Sequence, residues 1–288
     1  MVILSNWNVF LAVAESGSFT KAAATLHISQ PAASKAIAAL EEELSARLFL
    51  RDKRKGLLLT NAGQKILPLV RQMRQLDDRI AQTAYQENHL LDGVVKIASV
   101  PIMTSLVLAE VLPEYQESYP YVQVEIMDGT NWGVKKMVEE YRADFGLAIS
   151  PFPGLMHTPL IRDRMVAVTK EKLPPDTVFH LTEYDKPLLF GEAGYEVVAD
   201  YLGRKNLAIR EPRIFRQGDT AIQLVRKGNG VGIISEYVLK FYTEELFVYP
   251  IRPAISTEYA IIAHAMQELS PAASAFVERI LHRFSRGY

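Results

Sequence analysis

Gln30, Ala32, Ser34, Lys35 and Ala38 share a short segment with Ala33, Ile37, Leu40 and Leu44. The second set recurs at steps of three and four, which places it on one face of a helix expected over about 30–44 and leaves the first set largely on other faces. Glutamine and serine can hydrogen-bond base edges. Small side chains permit close approach to thymine methyl groups, and lysine can meet a phosphate or a guanine. The acidic run Glu41-Glu42-Glu43 would be repelled by phosphate, so the N-terminal half of this helix is the end expected to face a groove. Further on, Arg51, Lys53, Arg54 and Lys55 cluster beside Gly56, between leucine-rich segments at 47–50 and 57–59. A hairpin carrying these cations at its tip suits a phosphate backbone or an adjacent minor groove.

Elements that could hold these residues precede and follow them. Trp7, Phe10, Leu11 and Ala14 define one face of a helix over 5–15, with Ser5 as its N-cap and Gly17 ending it. Thr20 is expected to cap an alanine-rich helix over 21–26. Residues 27–29 form the turn, and Pro31 falls in the first turn of the third helix, where a missing N–H does no harm. Cap, small-residue helix, turn, polar helix and basic hairpin, in that order, make a winged helix-turn-helix. The plain alternative is a small helical domain with a solvated charged loop.

Residues 5–65 resemble the DNA-binding region of LysR-type transcriptional regulators. The stretches ESGSFTKAAATLHISQPAASKAIAALEEEL and ARLFLRDKRKGLLLTNAG carry the resemblance, which extends more loosely over the whole chain. It implies binding to double-stranded promoter or operator DNA as a homodimer or homotetramer. The candidate DNA contacts are Thr20, Gln30, Pro31, Ala32, Ser34, Lys35, Arg51, Lys53 and Arg54. Where the family usually has glycine after the EEEL segment, this chain has Ser45; a positive φ there would strain serine and not glycine.

The 288 residues are 49% hydrophobic and 23% charged, which suits two or three domains. The net charge of −1 gives no whole-molecule attraction to DNA, so the basic residues must act locally. With no cysteine, disulfides and thiolate metal sites are excluded. A cytoplasmic chain without signal peptide is expected. The uncharged run 97–109 contains Pro101 and falls short of the roughly 18 residues that suggest a membrane span.

From residue 60 or 61, Ile66, Leu69, Met73, Leu76 and Ile80 form a heptad seam flanked by Arg71, Arg74, Asp77, Asp78 and Arg79. Pro68 should weaken the first turns, leaving 70–86 to run uninterrupted. Such a stripe seeks a partner helix, or packs on its own domain. The resemblance implies pairing of subunits, which would link two recognition helices at a high effective concentration.

Beyond Gly93 the pattern changes. Strands are expected over 94–100, 122–127, 145–149, 164–169, 188–190, 213–216 and 231–234. Helices are expected over 106–118, 131–141, 196–202, 220–227, 236–241 and 271–285. The alternation implies a mostly parallel α/β fold in two lobes. The resulting fold class is multidomain: an α-rich winged helix-turn-helix over 1–60, a linker helix over 61–91, and an α/β effector domain over 92–288. The resemblance implies that this last part is similar to periplasmic solute-binding proteins. Lobe I would be 92–162 with 265–288 and lobe II 163–264, with a ligand cleft between them. The chain departs from the family pattern in its segment 97–113, which is about a turn longer, so the mouth of the first lobe is expected to differ.

Ligands of open α/β sheets meet the loops at the carboxyl ends of strands, here 99–104, 128–132, 150–153, 191–194, 216–220 and 235. Helix N-termini in these loops offer amides to an anion. Ser99, Thr104, Thr130 and Asn131 offer hydroxyl or amide contacts, Arg216 can pair with a carboxylate, and Phe152, Trp132 and Phe215 can wall an apolar part. With Pro101, these residues apart from Trp132 are the candidate contacts for a small-molecule effector, an organic anion being one candidate class. The plain alternative is that the hydroxyls cap helices and Arg216 is a surface residue. By position, the resemblance favours Ser99, Thr130 and the Phe215 region.

Catalysis finds little support. Ser18 and Lys21 have the Ser-x-x-Lys spacing of penicillin-recognising hydrolases, without the partner motifs. Gly228, Gly230 and Gly232 lie between a helix and a strand, the reverse of a dinucleotide site's order, and read as a helix end and turn. There is no Walker A pattern and no His-Glu-x-x-His. His27, His89, His157, His180, His264 and His282 are scattered. No metal, cofactor or membrane partner is expected. A solute-binding module whose first helices serve only assembly is the competing reading, and an enzyme on an α/β scaffold the third.

Overall fold

The computed structural model describes residues 5–52, 54, 56–86, 91–242 and 246–284. The chain separates into two compact units, residues 1–90 with 140–142, and residues 91–139 with 143–288.

In the first unit α1 (Ser5–Ser16), α2 (Phe19–Thr25) and α3 (Gln30–Glu43) are followed by a hairpin of β1 (Phe49–Asp52) and β2 (Gly56–Leu59), then α4 (Asn61–Gln86). The core face of α1 is wider than its four expected positions. Val9, Phe10, Leu11 and Val13 are buried and Trp7 and Ala14 half-buried, because α2, α3 and α4 all pack against this helix. Phe10 and Phe19 pack their rings on Phe49 at 5.5 and 6.0 Å, joining helices to hairpin. Full burial of Phe10, Val13, Leu40 and Leu48 contributes about 1.5–3 kcal/mol each.

Three expected boundaries shift. Ser5 is the first residue of α1 and not its cap. Ser18, not Thr20, caps α2, its Oγ accepting from the Lys21 amide at 3.4 Å, which puts Thr20 inside the first turn. Leu44 is exposed and stands at the C-cap of α3, one residue past the helical register that buries Ala33, Ile37 and Leu40. The helix ends share one device. His27 after α2 and Ser45 after α3 have positive φ, 54° and 50°. The following amides reach back to close each helix, Ile28 to the Ala23 carbonyl at 3.0 Å and Ala46 to the Glu41 carbonyl at 3.0 Å. α4 runs through Pro68 without a break; proline removes only one N–H from the ladder.

The second unit contains β3 (Gly93–Ser99), α5 (Pro101–Met103), a π-helical turn (Thr104–Leu108) and α6 (Ala109–Ser118). Next come β4 (Val122–Asp128), α7 (Asn131–Glu139), β5 (Phe145–Ile149), β6 (Met156–Thr169), β7 (Phe179–His180), β8 (Leu188–Gly191) and α8 (Glu192–Gly203). β9 (Pro212–Phe215), α9 (Gly218–Arg226), β10 (Val231–Ser235), α10 (Glu236–Leu239), β11 (Phe247–Tyr249), β12 (Ile251–Arg252), β13 (Ser256–Ala263), a 3₁₀ turn (Met266–Glu268) and α11 (Pro271–Phe284) complete it. Residue 285, expected at the end of the last helix, lies outside the described residues.

One curled mixed sheet of order β4-β3-β5-β13-β6-β10-β8-β9, with β11 on β6, runs through both lobes of this α/β unit. Its two ends are parallel, as the strand–helix alternation implies. Its middle is antiparallel. The first part of β6 pairs with β13 and the last part, Met165–Val168, with β10. Neither β13 nor the first half of β6 is among the expected strands. Exposed His157 and Arg162 and half-buried Glu258 mask the alternation, and the pairing spans about a hundred residues of sequence. The helix expected from residue 106 already begins at Pro101, and its added length is taken up by the π-helical turn. α11 closes the core through Phe276, whose ring lies 4.4 Å from Tyr115 and 6.0 Å from Phe145.

Relief of the positive φ is the direct test of the Ser45 turn. Ser45→Gly is expected to stabilise the first unit by about 1 kcal/mol, read as a higher urea midpoint with unchanged slope.

Candidate nucleic-acid interface and ligand cavity

The polar face of α3 is free. Ser29 caps the helix, its Oγ accepting from the Ala32 amide at 3.3 Å. Gln30, Pro31, Ala32, Ser34, Lys35 and Ala38 are exposed, while Ala33, Ile37 and Leu40 anchor the opposite face among Phe10, Val13 and Ala22. Thr20 is also exposed. In the hairpin Arg51 is exposed but belongs to strand β1, opposite Leu57, and not to the tip where its sequence neighbours suggest it. Arg54 occupies the tip, where its amide donates to the Asp52 carboxylate at 2.8 Å. Lys53 and Lys55 lie outside the described residues.

What sets the hairpin beside α3 is Glu41. Its Oε1 accepts from the backbone amides of Leu48 at 2.7 Å and Phe49 at 3.2 Å, and its Oε2 from Arg47 Nη1 at 3.1 Å. In the sequence Glu41 reads only as a repulsive charge. Its true task, satisfying amides at the hairpin base, leaves no trace in spacing. On the other side Thr60 Oγ1 donates to the Arg47 carbonyl at 2.7 Å and accepts from the Gly63 amide at 3.0 Å. The start of α4 then passes so near the hairpin that a Cβ on Gly63 would sit 2.3 Å from the Leu48 oxygen. Beyond this contact Leu69, Met73, Leu76 and Ile80 form an exposed apolar line along α4, Ile80 with 70% of its surface free.

The second unit holds a cavity of about 460 Å³ at the carboxyl ends of its strands. Four of the expected effector residues line it: Pro101, Thr130, Asn131 and Arg216. The other four stand elsewhere. Ser99 is fully buried beneath, donating to the Val100 carbonyl at 3.1 Å. Thr104 donates to the Asp128 carboxylate at 2.7 Å, and it is Asp128 that reaches the cavity. Phe152 lies 4.9 Å from the His157 ring in a separate hollow. Phe215 packs against the cluster of Val166, Leu189 and Ile222. Trp132, also read as a wall, is exposed under the Lys136 ammonium at 4.8 Å.

Asn131 lines the cavity with its amide already committed. Its Nδ2 donates to the Ile149 carbonyl at 2.9 Å and to Glu196 Oε2 at 2.7 Å, and its Oδ1 accepts from the Ile149 amide at 2.8 Å. Glu196 Oε1 takes the buried Lys135 ammonium at 2.8 Å, so α7 and α8 are tied by an ion pair behind the cavity wall. The cavity floor is a second network. Ser235 donates to Asp163, which also accepts from the Tyr237 amide at 2.8 Å. With its single proton so used, Ser235 accepts from the Tyr259 hydroxyl at 2.6 Å. Burial pushes the Tyr259 phenol above its ordinary range and keeps it a donor. At the start of α10, two hydrogen bonds from Arg164 hold the Glu236 carboxyl below the usual carboxylate range. Tyr259 and Thr257 come from β13, so sequence reasoning that misses the strand misses them also. Among the described residues no group of His, Cys, Asp and Glu could hold a metal ion, and no helix is long and apolar enough to cross a membrane.

A winged helix-turn-helix joined to a two-lobed α/β unit with a cavity at its strand ends is the build of a transcriptional regulator with a substrate-binding domain. Residues 4–64 match the bacterial regulatory helix-turn-helix protein, lysR family, and residues 88–285 match the LysR substrate binding domain. The chain belongs to the LysR family of transcriptional regulators. It is similar to the HTH-type transcriptional regulators YoaU and YvbU of Bacillus subtilis, 35% and 28% identical over 96% of each chain. In fold it is similar to a full-length OxyR variant from Pseudomonas aeruginosa, at 17% identity over 98% of this chain and 95% of that one, with a TM-score of 0.74. A similar likeness holds to full-length CbnR complexed with its target DNA, at 19% identity over 96% and 98%, with a TM-score of 0.57. Family membership favours the regulator over a solute-binding module without regulatory role.

Two stability measurements check the two clamps. Glu41→Ala strips a carboxylate from two amides and should cost about 2 kcal/mol, seen as a lower denaturant midpoint for the first unit. Lys135→Met removes the charged partner of Glu196 and should cost about as much in the second unit.

Proposed function

We propose that the chain reads operator DNA as a dimer or larger assembly in the cytoplasm and responds to a small molecule held in the cavity of its second unit. The observation that carries the first part is the exposed N-terminal half of α3 with the hairpin clamped alongside by Glu41. Gln30, Ser34 and Lys35 meet base edges, with Pro31 and Ala32 allowing close approach. Thr20, Arg51, Lys53 and Arg54 meet phosphates and set the register. CbnR, a similar fold complexed with its target DNA, supports the reading of DNA as the partner. The apolar line Leu69, Met73, Leu76 and Ile80 supports pairing of two chains through α4, which brings two α3 helices to two half-sites.

The small molecule lies among Pro101, Thr130, Asn131 and Arg216, its anionic group on Arg216. It is bound and released unchanged. It acts by differential affinity for alternative arrangements of the lobes, the only means by which a ligand moves an equilibrium.

An operator recovered by selection from random duplexes tests the DNA reading. Ser34→Trp should lower the preference for that operator over random duplex, and equal discrimination would remove Ser34 from the base-reading set. Arg54→Ala should weaken binding to all sequences and reduce the salt slope by about one for each phosphate no longer neutralised. A slope equal to that of the unaltered protein would remove the hairpin from the interface.

A further inference from the structure

We propose that the cavity of the second unit takes a zwitterion of the aliphatic amino-acid class, its carboxylate on Arg216 and its ammonium on Glu192 and Asp128. This rests on reading that cavity as the effector site. The charged side chains lining it are Arg216, Asp128, Glu192 and Asp219, one cation against three carboxylates. No described residue pairs with the Arg216 guanidinium or the Glu192 carboxylate. Asp128 accepts the Thr104 hydroxyl and Asp219 the Tyr242 hydroxyl, contacts that satisfy lone pairs without cancelling charge.

The cationic side of the cavity is built by backbone as well as by Arg216. α8 and α9 open there with the caps Gly191, which has no side chain, and Gln217, whose side chain makes no bond to a first-turn amide. A Cβ on Gly191 would lie 2.6 Å from the Gly218 Cα, so the two N-termini stand side by side next to Arg216. Glu192 and Asp219 complement these helix dipoles, which accounts for one acid per helix. It does not account for Asp128, which ends β4 and lines the cavity from the other lobe.

A simple carboxylate would satisfy Arg216 and leave Asp128 and Glu192 facing a third negative charge. A simple amine would satisfy the acids and leave Arg216 and the open amides without an anion. A molecule carrying both charges satisfies both sides. Apart from Tyr242 and Tyr259, whose hydroxyls are held by Asp219 and Ser235, the apolar lining is aliphatic, including Ile102, Ile149, Met165 and Val197. An aliphatic side chain therefore fills the remainder.

The test is a thermal-shift and calorimetric screen of the full chain with the common amino acids, followed for each hit by its deaminated acid and its decarboxylated amine. An aliphatic amino acid should raise Tm, and both single-charge counterparts should bind about tenfold or more weakly. Glu192→Gln should lower affinity for the amino acid to that of its deaminated acid while leaving the acid's own affinity equal or higher, a pattern that misfolding does not produce. Arg216→Met should act in the mirror sense on the amine. A deaminated acid binding as tightly as the amino acid, with Arg216→Met abolishing it, overturns the zwitterion and keeps the cavity as the site. Binding untouched by either substitution overturns the cavity reading as well. No shift with any amino acid at millimolar concentration overturns the proposal, and salt-dependent operator binding by the same preparation then shows that the regulator reading stands apart from it.

Discussion

The antiparallel pairing of β6 with β13 is the constraint on which the ligand-binding unit depends. β6 bonds to β13 along its first part and to β10 along its last, so a single strand belongs to both halves of the sheet. Parallel strand–helix units at either end could each stand as a small sheet. They become one structure because two long strands cross between them. The same strands bring Met165, Thr257 and Tyr259 to the cavity, and Asp163 and Ser235 fix the floor where they meet. Part of the cavity wall is thereby placed on backbone paired within the sheet, where pre-organisation is easiest to maintain.

The first unit solves a similar problem with one ring cluster and one carboxylate. An exposed polar helix face and an exposed hairpin have no apolar reason to keep a fixed relation, since the surfaces that must meet DNA cannot also pack. The relation is instead fixed from behind. Phe49 packs on Phe10 and Phe19, and the Glu41 carboxylate takes the amides at the hairpin base. With a net charge of −1 over the chain, attraction to DNA does not come from the molecule as a whole and falls to local groups of cations.

The local elements are legible in the sequence because their signals are local. Steps of three and four mark α1, α3 and α11, Gly17 and Ser45 mark helix ends, and strand–helix alternation marks the parallel parts of the sheet. Ser45 does take the positive φ that its place after α3 demands. What stays hidden depends on distant partners. β13 has no neighbour in sequence to pair with, and Glu41 looks like any surface acid until the hairpin folds back on it. Of the cavity, the loops are foreseeable from strand ends, but which residue of each loop turns inward is not. Thr104, expected as a contact, instead bonds Asp128, and Phe215 joins a small apolar cluster.

Magnitudes limit how a ligand can move the lobes. Lys135 is almost fully buried and is held by Glu196 across the α7–α8 contact. Separating these helices would break this ion pair and open both groups to water, at a cost set by the lost charged hydrogen bond of about 1.5–3 kcal/mol. The coupling free energy that one small ligand supplies is typically about 1–3 kcal/mol. The ion pair therefore opposes separation of α7 from α8 with a free energy comparable to what one ligand supplies. Asn131, bonded to both Glu196 and the end of β5, belongs to this fixed side. Arg216 and the N-terminus of α9 do not share in that ion pair, and a rearrangement that redraws their approach to the cavity leaves it intact.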